Sequence, residues 1–377
     1  MSVSIGNFWT GTYLYETMMA AAALRLPENG CPIVVKSLAA SCSVILALVL
    51  AQPAAAAVGK PIQAALFING TLGDRSFFDS AALGLRRAQS ELGMETKTVE
   101  AGADPTGWEE ALTDLVDGGD YDVIVVGTYT LTPLVEKLAT AYPETKFIFF
   151  DGTVDYGRCA CGNVYSVLFR QNEGGYLAGV LAARLALGGA PPTRLGIIGG
   201  MDIPVVNDYA AGFEAGAHSV SPDLPVLKQY ANSFTDPATG KEIAKAEYGQ
   251  GADLIFQIAG ASGQGVIEAA TETGHYVIGV DSDQAAIYQA AAPDRAARIV
   301  TSVLKRVDNA VFRALSRMKG GTLAFGKSES LGLKEGAIGL ADNRFTQTLV
   351  PPATMDQVRQ VEAAIEDGSL HVPSVYR

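Results

Sequence analysis

Cationic side chains are scarce in this chain: 28 Lys and Arg stand against 40 Asp and Glu, a formal charge of −12. A face that grips phosphates needs clustered Lys and Arg, so the composition argues against a nucleic-acid partner. The acidic surplus speaks to solubility instead. Histidine is rarer still, with His218, His275 and His371 scattered along the chain. Of the four cysteines, only Cys159 and Cys161 lie beyond the N-terminal 57 residues. A structural metal site would need two further ligands beside them. Their spacing is too tight for an ordinary relaxed disulfide, so they are expected as two thiols of a loop. A strained bridge in an oxidising compartment is the alternative. Long apolar runs are also missing. The uncharged stretch from Leu38 to Ala51 is too short and wrongly flanked for a membrane span.

Catalytic motifs fail one by one. A dinucleotide fingerprint needs G-x-G-x-x-G after a strand, and Gly263-Gln264-Gly265-Val266-Ile267-Glu268 breaks at its last position. A nucleophile elbow needs G-x-S-x-G, and Gly260-Ala261-Ser262-Gly263-Gln264 lacks the final glycine. Gly240-Lys241-Glu242 is not a phosphate loop. No cofactor is expected, and enzyme is the weaker class.

What is present is a leader followed by two α/β series. Lys36, the apolar run and Ala54-Ala55-Ala56-Ala57 make a secretory signal, so residues 1–57 are expected as an N-terminal extension and cleaved signal peptide. Cys42 is a poor lipidation site, since no apolar run precedes it, and a soluble exported protein is favoured over a lipoprotein. From Ile62 onward, short apolar runs alternate with helical spacing, the signature of parallel sheets flanked by helices. The pattern restarts at Val164 and returns late, through a strand at Ile299–Thr301. An amphipathic helix follows, to which Val303, Leu304, Val307, Val311, Leu315 and Met318 are assigned.

The stretch from Tyr230 to Gly265 organises the second series. Phe234 sits where one apolar run ends, Asp236-Pro237 opens a helix, and the run Leu254–Ala259 breaks into glycines before another helix. Loops leaving the carboxyl ends of parallel strands form the ligand crevice of open α/β sheets. This stretch therefore forms one wall of a cleft between two lobes. First-lobe residues are expected at 58–168 plus 283–320, and second-lobe residues at 169–282 plus 321–377.

Six segments resemble a known family in its own order. They are Gly73-Asp74-Arg75-Ser76-Phe77, Gln171-Asn172-Glu173-Gly174, Phe234-Thr235-Asp236-Pro237, Ile255-Phe256-Gln257 through Gly265, Gly279-Val280-Asp281-Ser282-Asp283-Gln284, and Thr301-Ser302-Val303-Leu304-Lys305-Arg306. Together they look like the basic membrane protein family, substrate-binding proteins of ABC importers whose best-known branch binds purine nucleosides. The resemblance implies a two-lobed type I periplasmic-binding-protein fold with three interlobe crossings. It implies a periplasmic protein, a nucleoside-like ligand, an ABC permease in the inner membrane as partner, and a monomer.

Carried over by position, the resemblance makes Phe77 and Phe234 the rings that sandwich the base. Stacking is worth about 1–3 kcal/mol per base. Core packing is the plainer alternative for both rings. Asp281, after an apolar strand, would accept from ribose hydroxyls, and Lys305, in the first turn or so after the Ile299–Thr301 strand, would bond the same sugar. The plainer alternatives are a helix cap for Asp281 and a solvated helix face for Lys305. Asp151 and Asp74 match family acids that contact the ligand, and Asp74 is equally placed to cap the helix starting at Ser76. Gly260 and Ser262 would offer loop N–H groups at a helix N-terminus. Phe78 stands where nucleoside binders of the family usually carry Asn. That change removes hydrogen bonds to a base edge and adds apolar area, which opens the range to another base or a flavin. An exported nucleoside-processing enzyme and a sensory ligand carrier are the competing classes.

Overall fold

The computed structural model describes residues 60–187 and 194–376, and the expected leader lies outside the described residues. The first series runs β1 (Gln63–Ile68), α1 (Phe77–Leu92), β2 (Glu95–Glu100), α2 (Trp108–Asp117), β3 (Val123–Gly127), α3 (Thr132–Ala141), β4 (Lys146–Phe150) and β5 (Val164–Phe169). The second runs α4 (Gln171–Leu187), β6 (Arg194–Gly199), α5 (Pro204–Val220), β7 (Val226–Tyr230), α6 (Pro237–Gly249), β8 (Ala252–Ile258), α7 (Ser262–Thr273), β9 (Tyr276–Asp281), α8 (Gln284–Tyr288), α9 (Pro293–Ala296) and β10 (Ile299–Lys305). The chain then adds α10 (Val307–Lys319), β11 (Lys327–Leu331), β12 (Ile338–Leu340), α11 (Arg344–Leu349) and α12 (Pro352–Glu366).

Both sheets follow one plan. The first has the order β2-β1-β3-β4-β5-β11 and the second β7-β6-β8-β9-β10-β12. Central strands such as Val123-Ile124-Val125-Val126 are buried along their whole length, as helices on both faces of a parallel sheet require. Edge strands β2 and β7 carry polar side chains and stay half exposed, which discourages edge-to-edge pairing.

In the second lobe α4 and α5 touch backbone to backbone. A Cβ at Gly175 would lie 2.3 Å from the Tyr209 carbonyl oxygen, and one at Gly179 would lie 2.0 Å from that of Phe213. Gly212 and Gly216 return the contact against Asn172 and Tyr176. The small residues of α4 therefore press its N-terminal residues onto α5.

The chain crosses between the sheets three times: from β5 to α4, from β10 to α10, and from β11 to β12. The last two crossings fall later than expected. Residues 299–305 were assigned to the first lobe but pair with β9, from Ile299 with Val277 to Leu304 with Asp281. Residues 327–331 were assigned to the second lobe but pair with β5. Val303 and Leu304 likewise belong to β10, not to the helix, which begins at Val307. A buried strand feeding a helix shows apolar residues three and four apart by coincidence, so periodicity alone misplaced the junction. Cys159 and Cys161, expected as free thiols, are joined by a disulfide. Their Cα atoms lie 5.2 Å apart, within the span a disulfide bridges, because the loop between β4 and β5 turns sharply there.

Candidate functional site

The carboxyl ends of the two sheets bring a buried polar cluster together at the lobe junction. Lys305, the last residue of β10, is 2% exposed and pairs with Asp151 at the exit of β4, in the other lobe. Its Nζ lies 5.0 Å from the ring centre of Phe169, 5.3 Å from that of Phe77 and 5.9 Å from that of Tyr209. The ammonium thus sits in a cage of three aromatic faces with one carboxylate, an arrangement favoured by the ring quadrupoles. Lys305 is not on a solvated helix face. The strand carries it inward.

Asp281 ends β9 and is 8% exposed. It accepts a hydrogen bond of 2.5 Å from the Ser76 hydroxyl, again across the lobes. Burial pushes its carboxyl up to about 6, while Lys305 and the Ser76 hydroxyl oppose the shift and Asp74 and Asp151 add to it. The helix cap that was the alternative for Asp281 belongs to Asp283, whose carboxylate accepts from the Ala286 N–H. Asp151 and Asp281 both adopt left-handed backbone conformations, with φ of 56° and 63°. That conformation is uncommon outside glycine and concentrates at functional sites.

The other expected site residues divide into neighbours of this cluster and supports for it. Phe77 opens α1, half-buried, 5.5 Å from the Phe150 ring and in reach of Lys305. Phe78 meets it edge-on at 5.4 Å and lies over Gly70, where a Cβ would approach the ring to 2.4 Å. Asp74 takes the capping role: its carboxylate accepts from the N–H groups of Ser76, Phe78 and Asp79 at 2.8–3.1 Å. Burial raises the Asp74 carboxyl despite these bonds.

Phe234 is among the exposed large apolar residues, its ring resting on Gly200. Ser262, expected to offer its N–H to a ligand, spends it on the Phe234 carbonyl (3.1 Å). Its hydroxyl donates to Ser233 O and accepts from the Asp236 N–H. Ser262 therefore holds the loop that carries Phe234. Gly260, with φ of 56°, makes the turn that lets Phe234 pack close beside it. Two residues beyond Ser262 in α7, Gln264 Nε2 donates to the Asp74 carbonyl across the junction (3.4 Å).

Four participants were not anticipated. In the sequence Ser76 marks only a helix start. Phe169 ends β5, a strand-exit position like those of Asp151 and Asp281. Tyr209 lies inside a helix, where nothing in its neighbours marks it. The C-terminal tail is the fourth. Asn172 Nδ2 donates to the carbonyls of Val372 and Pro373, and Asp208 accepts from Ser374 Oγ and the Val375 N–H. The tail is thereby pinned beside the first crossing. Burial, then Asp151, Asp208 and Tyr129, hold the Tyr376 phenol above its usual range.

Two lobes of one plan, three crossings and a polar cluster where their strand ends meet define the class of type I periplasmic-binding proteins. A model of the Bmp family, described as ABC transporter substrate-binding protein PnrA-like, matches residues 62–373. The chain belongs to this family. It is 33% identical to basic membrane protein A of Borreliella burgdorferi over 282 residues, covering 74% of this chain and 78% of that protein. It is 32% identical to the CD4+ T-cell-stimulating antigen of Listeria monocytogenes over 317 residues, covering 81% and 85%. The crystal structure of an ABC transporter solute-binding protein from Aeropyrum pernix K1 superposes with a TM-score of 0.74 at 27% identity, over 84% of this chain and 95% of that one.

Proposed function

We propose that this protein is the exported solute-binding component of an ABC importer, and that it holds a nucleoside between its lobes without transforming it. The observation that carries this reading is the enclosed cluster of Lys305, Asp151, Asp281 and Ser76, assembled from both lobes beside the Phe77 ring. Such a cluster suits a solute with hydroxyl groups attached to a flat ring. Phe77 and Phe234 sandwich the base. The Asp281 carboxylate accepts from sugar hydroxyls, and Lys305 donates to them through N–H groups not used by Asp151. A ligand held by groups of both lobes favours the closed arrangement, which is the form a permease in the inner membrane engages. A cleavable leader delivers the protein to the periplasm, where it acts as a monomer.

Phe78 favours a second ligand class. With a phenyl ring where an amide would meet the base edge, a wider planar heterocycle such as a flavin gains contact area and loses no hydrogen bond. Mass spectrometry of the small molecule released from purified protein, followed by calorimetry with nucleosides, free bases and riboflavin, tests the proposal. A purine nucleoside released and rebound is the expected result. Release of a sugar or peptide, or hydrolysis of the added nucleoside, would overturn it.

A further inference from the structure

Tyr209 is 2% exposed, projecting from α5 with its ring 6.0 Å from that of Phe256 and 5.9 Å from the Lys305 ammonium. Its hydroxyl is enclosed and closes no hydrogen bond of normal geometry, although the Asp281 carboxylate lies close enough to meet it weakly. Two other buried tyrosines are satisfied: Tyr165 donates to Glu329 and Tyr248 to the Tyr276 carbonyl. Tyr288 shares the lack, but the groups over its ring are the guanidinium groups of Arg75 and Arg295, not those of the site. Buried hydroxyls are nearly always paired, because an unpaired one forfeits its bond to water and gains nothing in return.

The surroundings of this hydroxyl are unusual in a second way. Burial, followed by the carboxylates of Asp281, Asp151 and Asp208, holds the phenol far above the ordinary tyrosine range. The group is therefore a fixed O–H, never an oxyanion, in the working range of pH. It neighbours an acid that only accepts when ionised, and its ring faces an ammonium that only donates. A vicinal diol presents two hydroxyls, each able to donate and accept. Carboxylate, ammonium and phenol together can match both hydroxyls, whereas the first two alone leave acceptor capacity of the diol unmet.

We infer that the Tyr209 hydroxyl is a third contact for the vicinal diol of a ribonucleoside, left without a bond of normal geometry in the protein so that the ligand completes it. This rests on the interlobe cluster being the ligand site. It makes Tyr209 a specificity residue that separates ribose from sugars lacking the diol.

The test is calorimetry of wild type, Tyr209→Phe and Asp281→Asn with inosine and 2′,3′-dideoxyinosine, together with thermal unfolding of each unliganded protein. Tyr209→Phe removes one oxygen atom and no volume. Inosine affinity is expected to fall about tenfold, as for one hydrogen bond lost to a ligand, while dideoxyinosine affinity stays within about twofold by the same reasoning. Unliganded stability should hold or rise. Equal losses for both ligands, or a lowered unfolding temperature, would make Tyr209 a packing residue and overturn the inference. Unchanged inosine binding in Tyr209→Phe with a loss in Asp281→Asn would overturn the inference alone. Wild-type protein that binds neither compound would overturn it together with the proposed function.

Discussion

The two lobes repeat one strand order, but they equip it with different chemistry. In each, the fourth strand exits into an aspartate in the left-handed region, Asp151 after β4 and Asp281 at the end of β9. Each carboxylate reaches across to the other lobe. Asp151 meets the Lys305 ammonium, whereas Asp281 meets the Ser76 hydroxyl. The fifth strands differ in the same sense: β5 ends in Phe169 and β10 in Lys305. A common scaffold thus places ring, cation and acid at equivalent exits, and the sequence at those exits decides what each lobe contributes. The helices behind the sheets differ too. Where α2 turns Leu112 and Val116 inward, α6 turns Ala244, Glu247 and Tyr248 inward.

Breaking the charge pair has the largest expected effect. Lys305→Met leaves Asp151 buried without a counter-charge, at a cost of about 3–5 kcal/mol in the closed form. Opening of the lobes relieves that cost. Small-angle scattering should show a larger radius of gyration, and ligand affinity should fall more than about a hundredfold. Lys305→Met with Asp151→Asn should restore the closed profile. If the single variant scatters like wild type, the pair does not hold the lobes.

The next effect isolates the second lobe's buried acid. Glu247 packs against Gly196, where a Cβ would come within 2.3 Å of its carboxylate, and burial raises its pKa to about 8, with the Gln229 amide opposing. A raised folded value means the carboxyl stabilises the fold below its usual 4.5 and loses that contribution as pH rises through about 8. Glu247→Gln should therefore be the more stable protein above pH 8, by up to about 4 kcal/mol, with the gap closing toward pH 4. Denaturant titrations at several pH values measure it, and a gap independent of pH would place the effect elsewhere.

Asp281 obeys the same sign with a smaller shift. Its carboxyl, raised to about 6 from 3.8, stabilises the unliganded protein below pH 4 and ceases to as pH rises through 6. Asp281→Asn should gain about 2–3 kcal/mol over wild type at pH 7 and nothing at pH 4. The same variant should lose more than about tenfold in ligand affinity. A matched loss of unliganded stability would mark Asp281 as structural. Phe78→Asn is the mildest change, shifting the ratio of riboflavin to inosine affinity toward inosine by a few-fold, roughly one hydrogen bond. An unchanged ratio would remove Phe78 from the ligand's reach.

Much of this arrangement was legible in the residues. Alternating apolar runs announced two parallel sheets, and Asp151 and Asp281, which follow apolar runs, were marked for the site by the family resemblance. What escaped has physical causes. Strand β11, Lys-Ser-Glu-Ser-Leu, lies at an edge with its polar side chains in water, so no periodicity betrays it. The junction of β10 and α10 was blurred because both faces of the strand are buried. Asp74 and Ser262 have the residue types of ligand contacts, yet local backbone groups claim them. Tyr209 carries no signal at all, since its partners come from β9, β10 and the other lobe.

The most direct test of the central claim is a crystal structure of the protein with inosine bound. The base is expected between the rings of Phe77 and Phe234, with the ribose hydroxyls within hydrogen-bond distance of Asp281 and Lys305. Inosine bound outside the lobe junction, or a base lying against neither ring, would contradict it.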